Sequence, residues 1–174
     1  MRVAVIDIGG TAIKAGLAEG GRLSGLQEIA THAEQGGAAI LARVTQLLRG
    51  YDGFAAIGVA TAGQIDTASG TVLYANSNIP GYTGAHIREM LSAEFGVPVY
   101  VGNDVNCAAV GEAHWGAARG CRDFLCLTYG TGVGGAIFLG GEVYEGSGDS
   151  AGEVSAIVTH PEARYPARDM FSGC

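Results

Sequence analysis

Apolar and polar positions alternate at the start of the chain. Residues 3–17, VAVIDIGGTAIKAGL, hold two short runs of period two, separated by an acidic residue, a glycine pair and a threonine. That pattern predicts strand, tight turn, strand. A glycine-containing turn at 18–21 and a third extended run at 22–31 complete an antiparallel meander. At Gly37 the period changes. Ile40, Leu41, Val44, Leu47 and Leu48 recur three and four apart, which predicts an amphipathic helix over 37–48 that ends near Gly50. Residues 54–60 are a continuous apolar run, read as a buried parallel strand reached through that helix, and they end in the small-residue turn Thr61-Ala62-Gly63-Gln64. A surface hairpin around Ser69-Gly70 occupies 65–74, and Pro80 and Gly81 keep NSNIPG at 76–81 out of any helix. A second helix spans 86–95, with Ile87, Met90, Leu91 and Phe95 on one face. A strand at 97–101 leads through Gly102-Asn103-Asp104 into an alanine-rich helix at 105–115.

From residue 124 the pattern starts again. Residues 127–144, LTYGTGVGGAIFLGGEVY, align without a gap on residues 6–23, IDIGGTAIKAGLAEGGRL, so that Gly9 meets Gly130 and Gly20 meets Gly141. An internal duplication accounts for this. It predicts an α/β chain with a complete first domain at 1–120 and the start of a second at 121–174. The second has reached only a strand near 154–159 where the sequence stops, so it is expected to be incomplete.

Composition narrows the function. At 174 residues and 48% hydrophobic, the chain can bury a sizeable core. Its 30 glycines follow no G-X-Y period, which points to many tight turns and away from collagen. A formal charge of −7 disfavours nucleic acid as a partner, since surfaces that bind phosphate backbones are basic. No apolar run has the length of a bilayer and Met1-Arg2 leads straight into a strand, so the expectation is a soluble, cytoplasmic protein with no membrane partner. Cysteines 107, 121, 126 and 174 show no CxxC spacing, and Cys107 and Cys126 lie in apolar segments. Buried free thiols are expected there.

The candidate chemistry gathers at strand ends. Gly9 and Gly10 lack the Cβ atoms that would keep a backbone turn from an anion, so the turn can cradle a phosphate; a plain hairpin is the alternative. Asp7 is placed to meet a metal or its waters, and Thr11 offers a hydroxyl. Asp104 stands where ligands of open α/β sheets collect, although Asp is also a preferred helix cap. Asn78 offers an amide or forms an Asx turn. Thr131, Gly132, Gly134 and Gly135 would form a second cradle, and two such turns on either side of a cleft could hold a nucleoside triphosphate.

Four stretches together resemble the ROK family of sugar kinases, which share a duplicated, actin-like (ribonuclease H-like) ATPase fold. DIGGTAIK at 7–14 looks like the family's first phosphate motif and GTGVGG at 130–135 like its second. GNDVN at 102–106 is similar to the segment with the catalytic aspartate, and AGE at 151–153 begins the sugar-binding motif. The resemblance implies phosphorylation of a sugar hydroxyl by ATP and Mg2+. Asp104 would be the general base, and Asp7 would orient Mg2+ through water. Gly9, Gly10, Thr11, Lys14, Thr131, Gly132 and Gly134 would bind the nucleotide. Gly63, Asn78, Asn103, Asp104 and Glu153 would surround the sugar. A homodimer is one implied assembly. A non-catalytic sugar-binding or regulatory relative, or an inactive fragment without the adenine pocket, are the alternatives.

The departures from the family pattern bear on metal. Ala156 stands where many members have a sugar-contacting histidine. Ala167 and Asp169 stand at two positions of the family's zinc-binding cysteine cluster, leaving Cys174 alone. No zinc site is expected. His160 could replace the lost sugar contact, or could be a solvated loop histidine.

Overall fold

Alternation in the first thirty residues becomes three antiparallel strands, β1 Arg2–Ile8, β2 Ala12–Glu19 and β3 Arg22–Ala30. The computed structural model describes residues 1–130 and 132–155. Helix α1, Gly37–Leu48, carries the chain to β4, Ala56–Thr61, which pairs parallel with β1. A small separate hairpin follows, β5 Gln64–Asp66 and β6 Thr71–Tyr74. Then α2, Ile87–Phe95, leads to β7, Val99–Asn103, which pairs parallel with β4. The sheet order is β3-β2-β1-β4-β7, an antiparallel meander extended by parallel strands. Helical crossovers are what parallel neighbours require.

One face of this sheet is covered. Ala4, Ile6 and Ile8 of β1, Ile13 and Ala15 of β2, Ile57 and Val59 of β4, and Val99 and Val101 of β7 form one core with Ile40, Val44 and Leu48 of α1 and Ile87 and Leu91 of α2. The helical spacing of three and four in α1 is therefore the imprint of this sheet on its partner. The opposite face carries Val3, Val5 and Asp7, all half-buried.

Two compact units result, Met1–Asp104 and from Val105 onward, so the division falls at the first residue of α3, Asp104–Trp115. The sequence pattern places that helix in a first domain ending near residue 120. Its Val105 and Ala109 instead cluster with Ala136 of the second unit, flanked by Phe124 and Cys126. The second unit is a three-stranded antiparallel sheet, β8 Phe124–Tyr129, β9 Val133–Leu139 and β10 Glu142–Val143, in the order β10-β9-β8. The strand expected near 154–159 falls largely outside the described residues. Cys107 is exposed and Cys126 half-buried, contrary to the expectation of buried thiols: α3 buries Val105 and Ala109, which leaves Cys107 off the packed side. Among the described residues no helix is long and apolar enough to cross a membrane.

Leu91 is fully buried where α2 meets the sheet. Leu91→Ala is expected to destabilise the first unit by about 2–5 kcal/mol through lost transfer energy and the cavity left behind. Urea denaturation followed by far-ultraviolet circular dichroism measures this, and a loss under about 1 kcal/mol would mean that the site collapses freely.

Candidate functional site

The three parallel strands of the first unit stop level with one another. Ile8 at the end of β1 is in register with Thr61 at the end of β4, and Thr61 with Asn103 at the end of β7. The segments singled out in the sequence therefore leave the sheet at one edge: Gly9-Gly10-Thr11 after β1, Ala62-Gly63 after β4 and Asp104 after β7. Open α/β sheets bind ligands outside this carboxyl edge.

The 9–11 turn is short and held from several sides. The Gly9 N–H donates to the Ala12 carbonyl at 3.0 Å. A Cβ built on Gly10 meets nothing within 4 Å, so no contact inside the fold demands a glycine there. The open space above Gly10 suits an approaching anion, whose oxygens would need a backbone surface free of side chains. Thr31, just beyond β3, is fully buried. Its hydroxyl donates to the Gly9 carbonyl at 2.7 Å, and its N–H donates to the Thr11 carbonyl at 2.9 Å. The Thr31 carbonyl in turn accepts from Arg43 Nη1 of α1 at 3.3 Å. Sequence reasoning missed Thr31, because a lone threonine at a strand end carries no periodic or spacing signal.

Across the sheet, a single row of positions runs Lys14, Asp7, Ala60, Gly102. The small residues at 60 and 102 leave the Asp7 carboxylate without tall neighbours on that side. Half-burial raises the carboxyl above the usual aspartate range; the Lys14 ammonium opposes that shift and the negative charge of Asp104 adds to it. The two aspartates are thus close enough to feel each other, although their positions in the chain lie far apart. No group of three or more His, Cys, Asp or Glu among the described residues is placed to hold a metal. A single carboxylate such as Asp7, meeting the ion through water, is compatible with Mg2+, which keeps several waters and takes its other ligands from phosphates.

The turn after β4 is shaped by contacts that only glycine allows. Gly63 has φ +103°, and a Cβ there would lie 2.6 Å from the Tyr74 carbonyl oxygen. Asn103 Nδ2 donates to the Gly63 carbonyl at 3.0 Å, so part of the amide expected to hold sugar instead ties the ends of β4 and β7 together. Beneath the turn, Thr61 Oγ1 and the Tyr82 hydroxyl share a 2.7 Å hydrogen bond in the core. Burial pushes the Tyr82 phenol up to about 12, opposed by that bond. Tyr82 and Ile79 are the buried anchors of the loop between β6 and α2. Thr83 Oγ1 closes the loop by accepting from the Ala75 N–H at 3.0 Å. The Asx turn considered for Asn78 belongs to Asn76, whose Oδ1 accepts the Asn78 N–H at 3.2 Å, and the Asn78 side chain is exposed.

The second unit repeats the strand–turn–strand order in a tighter register. Tyr129 pairs with Val133, whereas the aligned Ile8 pairs with Ile13, so the second turn encloses one residue fewer. The Gly130 N–H donates to the Gly132 carbonyl at 2.9 Å. Thr131 lies outside the described residues, as do Ala156, His160, Ala167, Asp169 and Cys174. Gly134 lies within β9, and a Cβ there would come within 2.5 Å of Val105 Cγ2, which gives this glycine a packing reason. Glu153 is exposed, its N–H donating to the Ser150 carbonyl at 3.2 Å.

A sequence model of the ROK family matches residues 3–166. A glucokinase of Halalkalibacterium halodurans is 34% identical over 97% of this chain and 53% of its own length. A beta-glucoside kinase of Listeria monocytogenes is 36% identical over 97% of this chain and 57% of its own. Among solved structures, a ROK family glucokinase from Streptomyces griseus in complex with glucose and AMPPNP gives a TM-score of 0.83 at 33% identity, covering 93% of this chain and 52% of that one. A ROK hexokinase from Thermus thermophilus gives 0.77 at 34% identity, covering all of this chain and 58% of that one. The chain spans little more than half the length of the relatives it matches.

The raised Asp7 carboxyl has a measurable sign. Its native form holds a proton to higher pH than the unfolded form, so stability falls as pH rises from the ordinary aspartate range through the native value. Ionised Asp7 therefore weighs against folding at neutral pH. Asp7→Asn is expected to raise the urea midpoint at pH 7, with the gain shrinking toward pH 3, where the native carboxyl is protonated. An unchanged or lowered midpoint at pH 7 would contradict the assignment of the shift to burial.

Proposed function

The chain belongs to the ROK family, and on that premise we propose that it is the first domain and part of the second of an ATP-dependent kinase that phosphorylates a hydroxyl of a hexose or aminosugar. Its relatives include sugar kinases, and its mixed α/β architecture is the actin-like ATPase fold of ROK kinases. The observation that carries the reading is the common strand edge. It brings the glycine turn, Asp7 and Asp104 to one edge of the sheet.

The roles are those the family resemblance implies, and the common strand edge supports them. Asp104, first residue of α3, takes the proton of the attacking sugar hydroxyl as its oxygen forms a bond to the γ-phosphorus. The bond from that phosphorus to the β–γ bridging oxygen breaks, and ADP leaves with the electron pair. Such a transfer depends mainly on positioning and on charge stabilisation. The amides of the 9–11 turn supply donors toward phosphate oxygens, and Lys14 supplies positive charge beside Asp7. Gly130, Thr131 and Gly132 are assigned to phosphate on their likeness to residues 9–11, while Gly134 supports them by packing. When bound, Mg2+ neutralises charge on the phosphates, and Asp7 fits as its outer ligand through water. Asn78 and, on its likeness to the family's sugar-binding motif, Glu153 are assigned to the sugar; each is exposed in its own unit. Asn103 divides its amide between the sugar and the Gly63 carbonyl.

The relatives' names make glucose and beta-glucosides the first substrates to test, with fructose, N-acetylmannosamine and N-acetylglucosamine beside them. Asp104→Asn is expected to lower sugar-dependent ADP formation by about 10²- to 10⁴-fold, the usual worth of a general base, while the circular-dichroism spectrum stays close to that of the parent. Turnover within threefold of the parent would overturn the role given to Asp104. Sugar binding by the parent with no ADP formation would support a non-catalytic, sugar-binding member of the family.

A further inference from the structure

We propose that Thr31 is a positioning residue for nucleotide phosphate, acting by holding the 9–11 turn in its anion-binding shape. The inference rests on reading that turn as a phosphate site. Thr31 touches the turn at both ends: the hydroxyl donates to the Gly9 carbonyl at 2.7 Å and the backbone N–H donates to the Thr11 carbonyl at 2.9 Å. These bonds fix the directions of two peptide carbonyls. A peptide is planar, so pinning the Gly9 carbonyl also orients the Gly10 N–H that belongs to the same unit, and pinning the Thr11 carbonyl orients the Ala12 N–H. A turn can offer N–H groups to an anion only if its carbonyls are turned elsewhere, and Thr31 is where two of them are turned.

The strap is itself secured. Thr31 is fully buried, and its own carbonyl accepts from Arg43 on α1, so a residue of the core helix stands behind the turn. Arg43 Nη2 also donates to Gln35 Oε1, which spans the connection between β3 and α1. The turn is otherwise built for freedom, with two glycines in succession and nothing within 4 Å of a Cβ at Gly10. Such a segment loses much conformational entropy when ordered, and a ligand that had to order it would bind more weakly. Thr31 orders it beforehand. The hydroxyl is the part of the side chain that matters in this account, because the backbone bond to Thr11 survives any substitution that keeps the fold.

Thr31→Val keeps the shape and removes the donor, leaving the Gly9 carbonyl short of a partner; Thr31→Ser keeps the donor and removes a methyl. ATP and inorganic tripolyphosphate, each with Mg2+, are titrated calorimetrically into the 174-residue chain and both variants. Hydrogen exchange of the Gly10, Thr11 and Ala12 amides is followed without ligand. Thr31→Val is expected to weaken both ligands about tenfold, because the turn must then be ordered on binding instead of beforehand, and to speed exchange in the turn. Thr31→Ser is expected to bind within about threefold of the parent, even if its melting temperature falls. If Thr31→Val fails to fold, the serine variant decides: folded serine protein that loses binding overturns the role of the hydroxyl. Parent-like binding and exchange in folded Thr31→Val overturns the positioning role alone. A parent chain that binds neither phosphate ligand overturns the phosphate reading of the turn, and this inference with it.

Discussion

The level ending of β1, β4 and β7 is the constraint on which the first unit depends. It is set by register, and register is set by burial: Ile6, Val59 and Val101 occupy one row of the covered face, with Ile8 and Thr61 two positions further on. A slip of one residue in any strand would turn its apolar set out of the core. Hydrophobic packing on one side of the sheet therefore measures out where Gly9, Gly63 and Asp104 emerge. The groups at the edge are positioned by core residues that never touch them.

Charge works against stability at Asp7. A half-buried carboxylate near a second negative charge opposes the folded state at neutral pH, and Lys14 offsets this only in part. The core around α1 and α2 supplies what that arrangement consumes. Perturbed carboxylates of this kind gather at functional sites because a site must keep charge where water would otherwise screen it.

Much of this was legible in the residues. The meander, α1, α2 and the parallel strands followed from period and turn chemistry, with boundaries shifted by one or two residues; Asn103, for instance, proved to be the last residue of β7. The strand-end glycines and aspartates were visible because residue type and location carry the signal together. Contacts between distant polar groups were not legible. Thr31 on Gly9, Tyr82 on Thr61 and Asn103 on Gly63 each join segments far apart in sequence, and nothing in their spacing announces a partner. The membership of α3 was also hidden, since an alanine-rich helix looks alike whichever sheet it packs on. The tighter register of the β8–β9 hairpin escaped the ungapped alignment, because alignment compares residues along one strand and register concerns pairs across two.

The loop between β6 and α2 keeps what it presents apart from what holds it down. Two buried side chains, Ile79 and Tyr82, hold it down, and the Thr83 bond to Ala75 closes its base. Asn76, Ser77 and Asn78 point outward from those anchors with no share in the core. Their replacement alters what the edge presents without disturbing what holds the edge in place. The tips can therefore vary by substitution while the scaffold stays fixed, so related chains of one fold can differ in what this edge presents without relearning how to fold.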